Sequence, residues 1–185
     1  MAQENNIRYI ILGMLAHEPV SGYDLKKRID QTFSYFWPVG YGQIYTTLRQ
    51  LNLEGFIALG STEQSKGPQK SIFQTTTKGK QALQDWLRQP ETKEYTRFEI
   101  LLKLFFSSAV STEVTLERIK AFETRHEANL ATMQLFKDSL EPLLTSDPDH
   151  LYFYLTVLFG ERIYSAYLAW AEEATQLLGN RGVPQ

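Results

Sequence analysis

The side chains best suited to chemistry in this 185-residue chain are those that can bind the edges of nucleic-acid bases. Gln43, Thr46 and Arg49 are spaced three residues apart, with Thr47 and Gln50 beside them, on the polar side of a segment whose other side is apolar. Glutamine can form a bidentate pair with adenine, threonine can contact the thymine methyl group, and arginine can bind guanine or phosphate. The pattern predicts a helix with one buried face and one face presented to DNA.

Further polar and cationic groups lie before and after that segment. We expect Ser21, Tyr23 and Lys26, at the start of the preceding helix, to hold phosphate groups. Lys66 and Lys70 flank a Gly-Pro turn, where two cations are placed to contact a nucleic-acid backbone. The residues predicted to contact DNA are Ser21, Tyr23, Lys26, Tyr41, Gln43, Tyr45, Thr46, Arg49, Lys66 and Lys70.

The elements that must position these side chains follow in a definite order. Apolar residues repeat at helical spacing over Ile7–Ala16, Ser21 with Asp24 three residues later opens a second helix, and a third runs from about Gln43 to Glu54. The segments 56–63 and 71–75 are rich in β-branched and aromatic residues and predict a hairpin. Three helices followed by a hairpin is the order of a winged helix-turn-helix, whose third helix enters the major groove.

The second half of the chain is predicted to be entirely helical. A long helix from Ser111 to about Leu144 has apolar residues every three or four positions, which is typical of helix-on-helix packing. A last helix, from about His150 to Leu178, is apolar on more than one side. Because two such helices cannot cover each other completely, we expect a two-fold homodimer, the commonest soluble oligomer. The residues predicted to line the dimer interface or an effector pocket are Phe122, His126, Tyr164, Tyr167 and Trp170.

Fold class and domains follow from this order: a mainly α protein with a small β-hairpin, made of a winged helix-turn-helix over residues 1–90 and a helical dimerisation domain over residues 91–185. The net charge of −2 by itself argues against a nucleic-acid partner. However, residues 1–90 carry 10 Lys and Arg against 7 Asp and Glu, whereas residues 91–185 carry 9 against 14. The first domain is therefore basic, but only modestly, so we expect weak non-specific DNA binding that salt abolishes easily.

Several classes of function are excluded or disfavoured. The chain has no cysteine, which excludes disulfides, thiol catalysis and cysteine-ligated metals. His126-Glu127 lacks the second histidine that a metalloprotease helix would place at position 130, and no nucleophile, base and orienting group stand together. We therefore expect neither an enzyme nor a bound cofactor or metal ion. The polar start and the short apolar segments predict a cytoplasmic protein that makes no membrane contact.

The chain also resembles a known family, the PadR-like transcriptional regulators, in its longer two-domain form. The resemblance rests on Ser21-Gly-Tyr-Asp-Leu25, Gly42-Gln-Ile-Tyr45, Leu48-Arg-Gln-Leu51, Glu54-Gly-Phe-Ile57, Phe73-Gln-Thr-Thr76 and Arg97–Phe106. It implies a homodimer joined through C-terminal helices, bound to a pseudo-palindromic double-stranded operator. It also implies repression that a small aromatic or hydrophobic effector or a stress signal relieves. The family's wing often carries arginine before proline, whereas this chain has Gly67-Pro68-Gln69, which weakens the expected wing contacts.

Two alternatives are open on the sequence alone. The winged unit could be a protein-interaction or adaptor module that uses its Tyr and Phe surfaces instead of contacting phosphate. The C-terminal aromatic residues could line an effector pocket or form core, and both roles are compatible because ligand sites often lie between helices.

Overall fold

The computed structural model describes residues 6–60, 71–90, 92, 94 and 97–180. The chain divides into two compact units, Met1–Glu94 and Tyr95–Gln185. The elements in chain order are α1 (Ile7–His17), β1 (Val20–Ser21), α2 (Gly22–Phe33), α3 (Tyr41–Leu53), β2 (Ile57–Leu59), β3 (Ile72–Thr75), α4 (Thr77–Leu87), α5 (Glu99–Phe105), α6 (Thr112–Leu140) and α7 (Pro148–Asn180). The mainly α fold with a small sheet is confirmed.

The first three helices enclose the core of the N-terminal unit. Their fully buried side chains include Ile11 and Leu12 of α1, Leu25 of α2, and Ile44 and Leu51 of α3. Local signals set the ends of these helices: the Ser21 hydroxyl accepts a hydrogen bond from the Asp24 backbone N–H at 3.1 Å, which caps α2. At the C-terminal end of α3, Gly55 has φ +74°, a left-handed conformation that glycine adopts without strain and that stops the helix.

The sheet has three strands where the sequence predicted two. Strand β3 pairs antiparallel with β2, aligning Ile57 with Thr75, and antiparallel with β1, aligning Val20 with Phe73. Strand β1 has only two residues, too few to show an alternating pattern, so only its partner reveals it. Strand β2 ends at Leu59, and residues 61–63 of the predicted strand lie outside the described residues.

Helix α4 closes the N-terminal unit through a very close contact. The Thr76 hydroxyl caps the helix by accepting from the Gly79 N–H at 3.1 Å, while the Thr76 N–H donates to the Phe56 carbonyl at 3.0 Å. A Cβ atom at Gly79 would lie 2.1 Å from that same carbonyl oxygen, so only glycine fits. Further along, Trp86 stacks on Tyr9 of α1 with ring centroids 4.6 Å apart.

The C-terminal unit is built on two long antiparallel helices. Ile119 and Phe122 of α6 and Ala171 of α7 form its buried cluster, and Met133 of α6 approaches α7 so closely that a Cβ at Gly160 would lie 2.8 Å from its sulfur. The α-helical part of α6 ends at Leu140 and one 3₁₀ turn continues to Leu143, so the predicted end near Leu144 marks that turn. Among the residues described, no helix has the length and hydropathy needed to cross a bilayer.

Candidate nucleic-acid interface

Helix α3 presents the polar face on which the sequence-based hypothesis depends. Gln43, Thr46 and Arg49 are exposed, while Ile44 and Leu48 on the opposite face are 0% and 2% exposed. The outward placement predicted for Thr47 is wrong, since this side chain is only 5% exposed. The reason is helical geometry, because position 47 lies three residues after Ile44 and joins the buried stripe.

The start of α3 changes what Gln43 can do. The helix begins at Tyr41, two residues before the predicted start, and the Gln43 side-chain carbonyl accepts from the Gly40 N–H at 3.0 Å. While this cap holds, the amide oxygen of Gln43 is engaged and its NH₂ group is the part that can donate outward. A bidentate pair with adenine needs both the oxygen and the NH₂ group, so Gln43 would have to release the cap to form one.

Tyr41 and Tyr45 join the starts of α2 and α3. Their ring centroids are 4.6 Å apart, and the hydrogen bond between them, aided by burial, raises the pKa of Tyr45 to about 12. Tyr45 therefore stays a neutral phenol at physiological pH. Its ring also rests on Gly22, where a Cβ would come within 3.1 Å. Beside this half-buried ring, Tyr41 is 60% and Tyr23 is 62% exposed, so both can reach a ligand.

The residues at the start of α2 that were predicted to hold phosphate differ in their exposure and in their partners. Ser21 is 3% exposed and its hydroxyl donates to the Asp24 carboxylate at 2.6 Å, so the prediction that it holds phosphate does not fit its burial; it caps the helix. Lys26 pairs with Asp30 one turn later. The adjacent Lys27, which sequence reasoning passed over, is exposed and makes no ion pair with the residues described. The position of Lys27 around helix α2, away from the buried residues, is the sequence signal that could have identified it as the exposed cation.

Lys66 and Lys70 lie outside the described residues, as does the whole 61–70 segment. Helix α2 packs against α3, and we name the exposed polar and aromatic side chains of these two helices the α3 surface: Tyr23, Lys27, Tyr41, Gln43, Thr46 and Arg49. It combines hydrogen-bond donors, two aromatic rings, two cations and the free N–H groups of a helix start, which favour anionic phosphate.

In the C-terminal unit, all five residues predicted for an interface or pocket meet between α6 and α7. We name them, with Phe98, the aromatic cluster: Phe98, Phe122, His126, Tyr164, Tyr167 and Trp170. The His126 ring lies 4.2 Å from the Phe122 ring and 4.9 Å from the Tyr167 ring, measured between centroids. The cluster is therefore packed within one chain, and aromatic contacts hold α6 to α7.

The electrostatics of the aromatic cluster are those of a neutral interior. Burial, and after it the charge of Arg125, lowers the pKa of His126 below its ordinary value. Burial raises the pKa of Tyr167. Nδ1 of His126 is buried and has no hydrogen-bond partner among the residues described. At neutral pH the cluster carries no charge, which suits a planar apolar ligand or simple packing.

Two surface grooves of the same unit lie away from the aromatic cluster. One, of about 530 Å³, runs between the start of α6 and the end of α7 and is bordered by Glu117, Lys120 and Glu172. The other, of about 360 Å³, lies between α5 and the start of α6, with Leu102, Phe106 and Arg118 among its walls. Neither groove includes a member of the aromatic cluster.

Comparison with known proteins agrees with both halves of this arrangement. Residues 11–85 match the model of the transcriptional regulator PadR-like family, and residues 96–179 match the model described as virulence activator alpha C-term. The negative transcriptional regulator PadR of Bacillus subtilis (strain 168) is 30% identical over 177 residues, which cover 93% of this chain and 97% of that protein.

Solved structures of that Bacillus subtilis protein share the fold. The crystal structure of PadR in complex with operator DNA superimposes with a TM-score of 0.78 at 31% identity, covering 92% of this chain and 98% of the other. The structure of PadR in complex with p-coumaric acid gives a TM-score of 0.74 at 29% identity, covering 94% of this chain and 98% of the other.

Proposed function

The chain belongs to the PadR-like family of transcriptional regulators, and from this premise we propose that it is a homodimeric repressor that binds a pseudo-palindromic DNA operator. In the proposal the α3 surface enters the major groove and a small aromatic or hydrophobic effector releases the DNA. The single observation that carries the proposal is the division of α3 into a buried apolar face and an exposed face bearing Gln43, Thr46 and Arg49.

The proposal gives each residue of the α3 surface a role that its geometry allows. Arg49 and Thr46 contact base edges, since both side chains are exposed on the outer face of the helix. Gln43 donates through its NH₂ group while its oxygen keeps the Gly40 cap. Tyr23 and Tyr41, with Tyr45 supporting the latter, bind phosphate oxygens through their hydroxyl groups.

The cations complete the phosphate contacts. Lys27 is added as an exposed cation of α2, and Lys26 contributes if DNA displaces Asp30 from it. Lys66 and Lys70 keep their proposed role at the wing. Ser21 is given the role of capping the start of α2 and is no longer proposed as a phosphate ligand. Because so few cations take part, affinity should depend on base contacts and on the two-fold doubling of the site.

The relative from Bacillus subtilis supports both parts of the mechanism, since it has been solved with operator DNA and with p-coumaric acid. For this chain we propose an effector of the same general kind, a small aromatic compound acting on the C-terminal unit. The aromatic cluster is the proposed responsive element, because stacking of one more ring there would change how α6 and α7 pack. The proposal includes no catalytic step, and a regulator of this kind works in the compartment that holds the DNA.

The deciding experiment is fluorescence anisotropy on the chain's own upstream region, compared with scrambled DNA, at two salt concentrations. Arg49→Ala should weaken specific binding by ~1–3 kcal/mol, whereas Arg88→Ala, an exposed arginine paired with Asp85 at the end of α4, is the matched control and should leave it unchanged. Equal affinity of the unaltered chain for specific and scrambled DNA would refute the repressor.

Charge reversal distinguishes the DNA-binding repressor from the alternative, a protein-interaction or adaptor module. Changing Lys26, Lys66 and Lys70 together to Glu should abolish binding, since each lost phosphate contact removes about one unit from the salt slope. Unaltered DNA affinity in this triple variant would favour a protein-interaction module. Thermal-shift screening with small aromatic acids then identifies effectors, because a ligand that binds only the native state raises its melting temperature.

A further inference from the structure

Helix α3 is held at its C-terminal end by side chains of two other helices. The Glu54 carboxylate, at the C-cap of α3, accepts hydrogen bonds from Nη2 of Arg8 in α1 at 3.0 Å and from Nε2 of Gln50 at 2.8 Å. The Glu54 backbone carbonyl accepts another from Nζ of Lys78 in α4 at 2.7 Å. One residue therefore ties the end of α3 both to α1 and to α4.

Both cations of this arrangement also lie near one aromatic ring. The guanidinium carbon of Arg8 is 5.0 Å from the centroid of the Phe56 ring and Nζ of Lys78 is 4.4 Å from it, which is the range of a cation–π contact. The start of α4 adds a further link, because the Thr76 hydroxyl donates to the Gly55 carbonyl at 2.8 Å. These contacts together fix the turn from α3 into β2. We name the interacting side chains the Glu54 cluster: Arg8, Gln50, Glu54, Phe56 and Lys78.

The Glu54 cluster is a polar network at a place where apolar packing would stabilise the fold as well. The side chains of Arg8 and Glu54 are 28% and 35% exposed, and Nε of Arg8 is buried with no hydrogen-bond partner among the described residues. Ion pairs at such sites often stabilise a fold no more than apolar side chains of the same volume. Their hydrogen bonds are directional, however, whereas the hydrophobic effect is not. The cluster therefore suits a geometric role, which is to fix the direction in which α3 points.

A small change in that direction becomes large at the opposite end of the helix. Gln43 precedes Glu54 by 11 residues, a distance of ~16 Å along the helix axis at 1.5 Å per residue. A tilt of ~5° about the C-terminal end of α3 would displace Gln43 by ~1.4 Å over that length. A hydrogen bond joins heavy atoms only about 2.7–3.2 Å apart, so a displacement of this size breaks a contact to a base edge.

We propose that Arg8 and Lys78 are positioning residues for operator recognition. Acting through Glu54 and Phe56, they hold α3 at the angle that its base contacts require, without contacting DNA themselves. The inference rests on the DNA binding of the proposed function and assigns part of its specificity to side chains of α1 and α4. It also gives Glu54, an acidic residue, a favourable part in binding an anionic ligand. Removing a negative charge from a DNA-binding domain ordinarily strengthens binding to any sequence, whereas losing a positioning contact weakens binding to the operator alone.

The deciding variant is Glu54→Gln, which keeps the size of the side chain and removes its charge. Fluorescence anisotropy compares a duplex of the chain's own upstream region with scrambled DNA, at low salt where both are bound measurably. Affinity for the upstream duplex should fall roughly tenfold, about the worth of one bidentate base contact, while affinity for scrambled DNA stays the same or rises. The matched control is Asp85→Asn, which removes the same charge from the ion pair with Arg88 and should leave the preference for the upstream duplex unchanged.

Variants of Arg8 and Lys78 separate positioning from direct phosphate contact. Arg8→Met and Lys78→Met keep an apolar stem beside Phe56 and remove the cation, so each should lower the preference for the upstream duplex. Arg8→Lys keeps a cation within reach of Glu54 and should restore most of that preference. In all three variants the salt slope on scrambled DNA should be that of the unaltered chain, because no phosphate contact is lost.

The outcomes separate this inference from the proposed function. If Glu54→Gln binds both duplexes as tightly as the unaltered chain or more tightly, the positioning role is overturned. Equal loss of affinity for both duplexes would also overturn it, since the cluster would then only support folding. A salt slope reduced by about one in Arg8→Met or Lys78→Met would show a phosphate contact instead. Each of these results leaves the regulator intact, whereas an unaltered chain without preference for its upstream duplex would refute the proposed function itself.

Discussion

The two units of the chain differ in how completely they bury their apolar side chains. In the N-terminal unit eleven buried hydrophobic residues form one cluster, whereas the buried cluster of the C-terminal unit has three: Ile119, Phe122 and Ala171. Of the 21 large hydrophobic residues that are exposed among those described, 15 lie after residue 100. The N-terminal unit is therefore a nearly closed domain, while the C-terminal unit leaves a large apolar surface exposed.

The cause lies in the geometry of the elements. The N-terminal unit surrounds its core with four helices and a sheet, so most of the apolar side chains described there find a neighbour. The C-terminal unit relies on two long helices and a short one, and a pair of rods covers only the faces that meet. The first arrangement suits a rigid reader of DNA, and the second suits an assembly element whose stability depends on concentration.

The largest expected effect is a core deletion that affects one unit alone. Ile44→Ala removes a fully buried side chain of α3 and should lower the free energy of unfolding of the N-terminal unit by ~2–5 kcal/mol. Hydrogen exchange followed by mass spectrometry should show faster exchange up to residue 87 and little change in α6 and α7. The matching change Ile119→Ala should do the reverse. Equal effects on both units in either variant would contradict their independence.

A smaller effect is expected from one added methyl group in the closed unit. Gly79→Ala places a Cβ where the Phe56 carbonyl lies 2.1 Å away, which should cost ~1–3 kcal/mol. The control is Gly13→Ala in α1, where nothing lies within 4 Å, and alanine there should stabilise the helix by ~0.5–1 kcal/mol. Urea denaturation measures both, and the prediction fails if the two variants shift stability in the same direction.

Dilution should distinguish the units without any mutation. If a second copy covers the C-terminal apolar surface, a tenfold dilution lowers the apparent stability of α6 and α7 by ~1.4 kcal/mol. The N-terminal unit, which is already closed, should show no such dependence. Circular dichroism melts at three concentrations, with hydrogen exchange to assign the regions, provide the test. A concentration-independent C-terminal unit would show that its apolar surface needs no partner.

The smallest effect concerns pH and the aromatic cluster. Burial lowers the pKa of His126 in the folded chain, so the unfolded chain binds the proton more readily. Stability from this residue is complete above its ordinary pKa of about 6.5 and is lost as the pH falls below it. The melting temperature should therefore drop more between pH 7.5 and 5.5 in the natural chain than in His126→Phe, which cannot titrate. An identical drop in both would remove His126 as the cause.

Much of the fold could be predicted because its signals are local. The Ser21–Asp24 signal predicted the start of α2, and the structure shows this cap in place. Gly55 at the end of α3 and Thr76 at the start of α4 are signals of the same kind, since each acts within four residues. The candidate site was harder to predict, because a helix face depends on rotation and neighbours. Thr47 turned inward, Ser21 became buried, and Lys27 proved more exposed than Lys26.

What the sequence determined by itself is the order of elements, the modest basic excess of the first 90 residues and the polar stripe of α3, since composition and helical period are properties of the chain. Only the tertiary structure decided the rest. The pairing of β1 with β3, the contacts of His126 with Tyr164 and Tyr167, and the uncovered faces of α5 and α7 all depend on segments far apart in sequence. Whether a side chain is covered is decided by its neighbours in space, which no local pattern records.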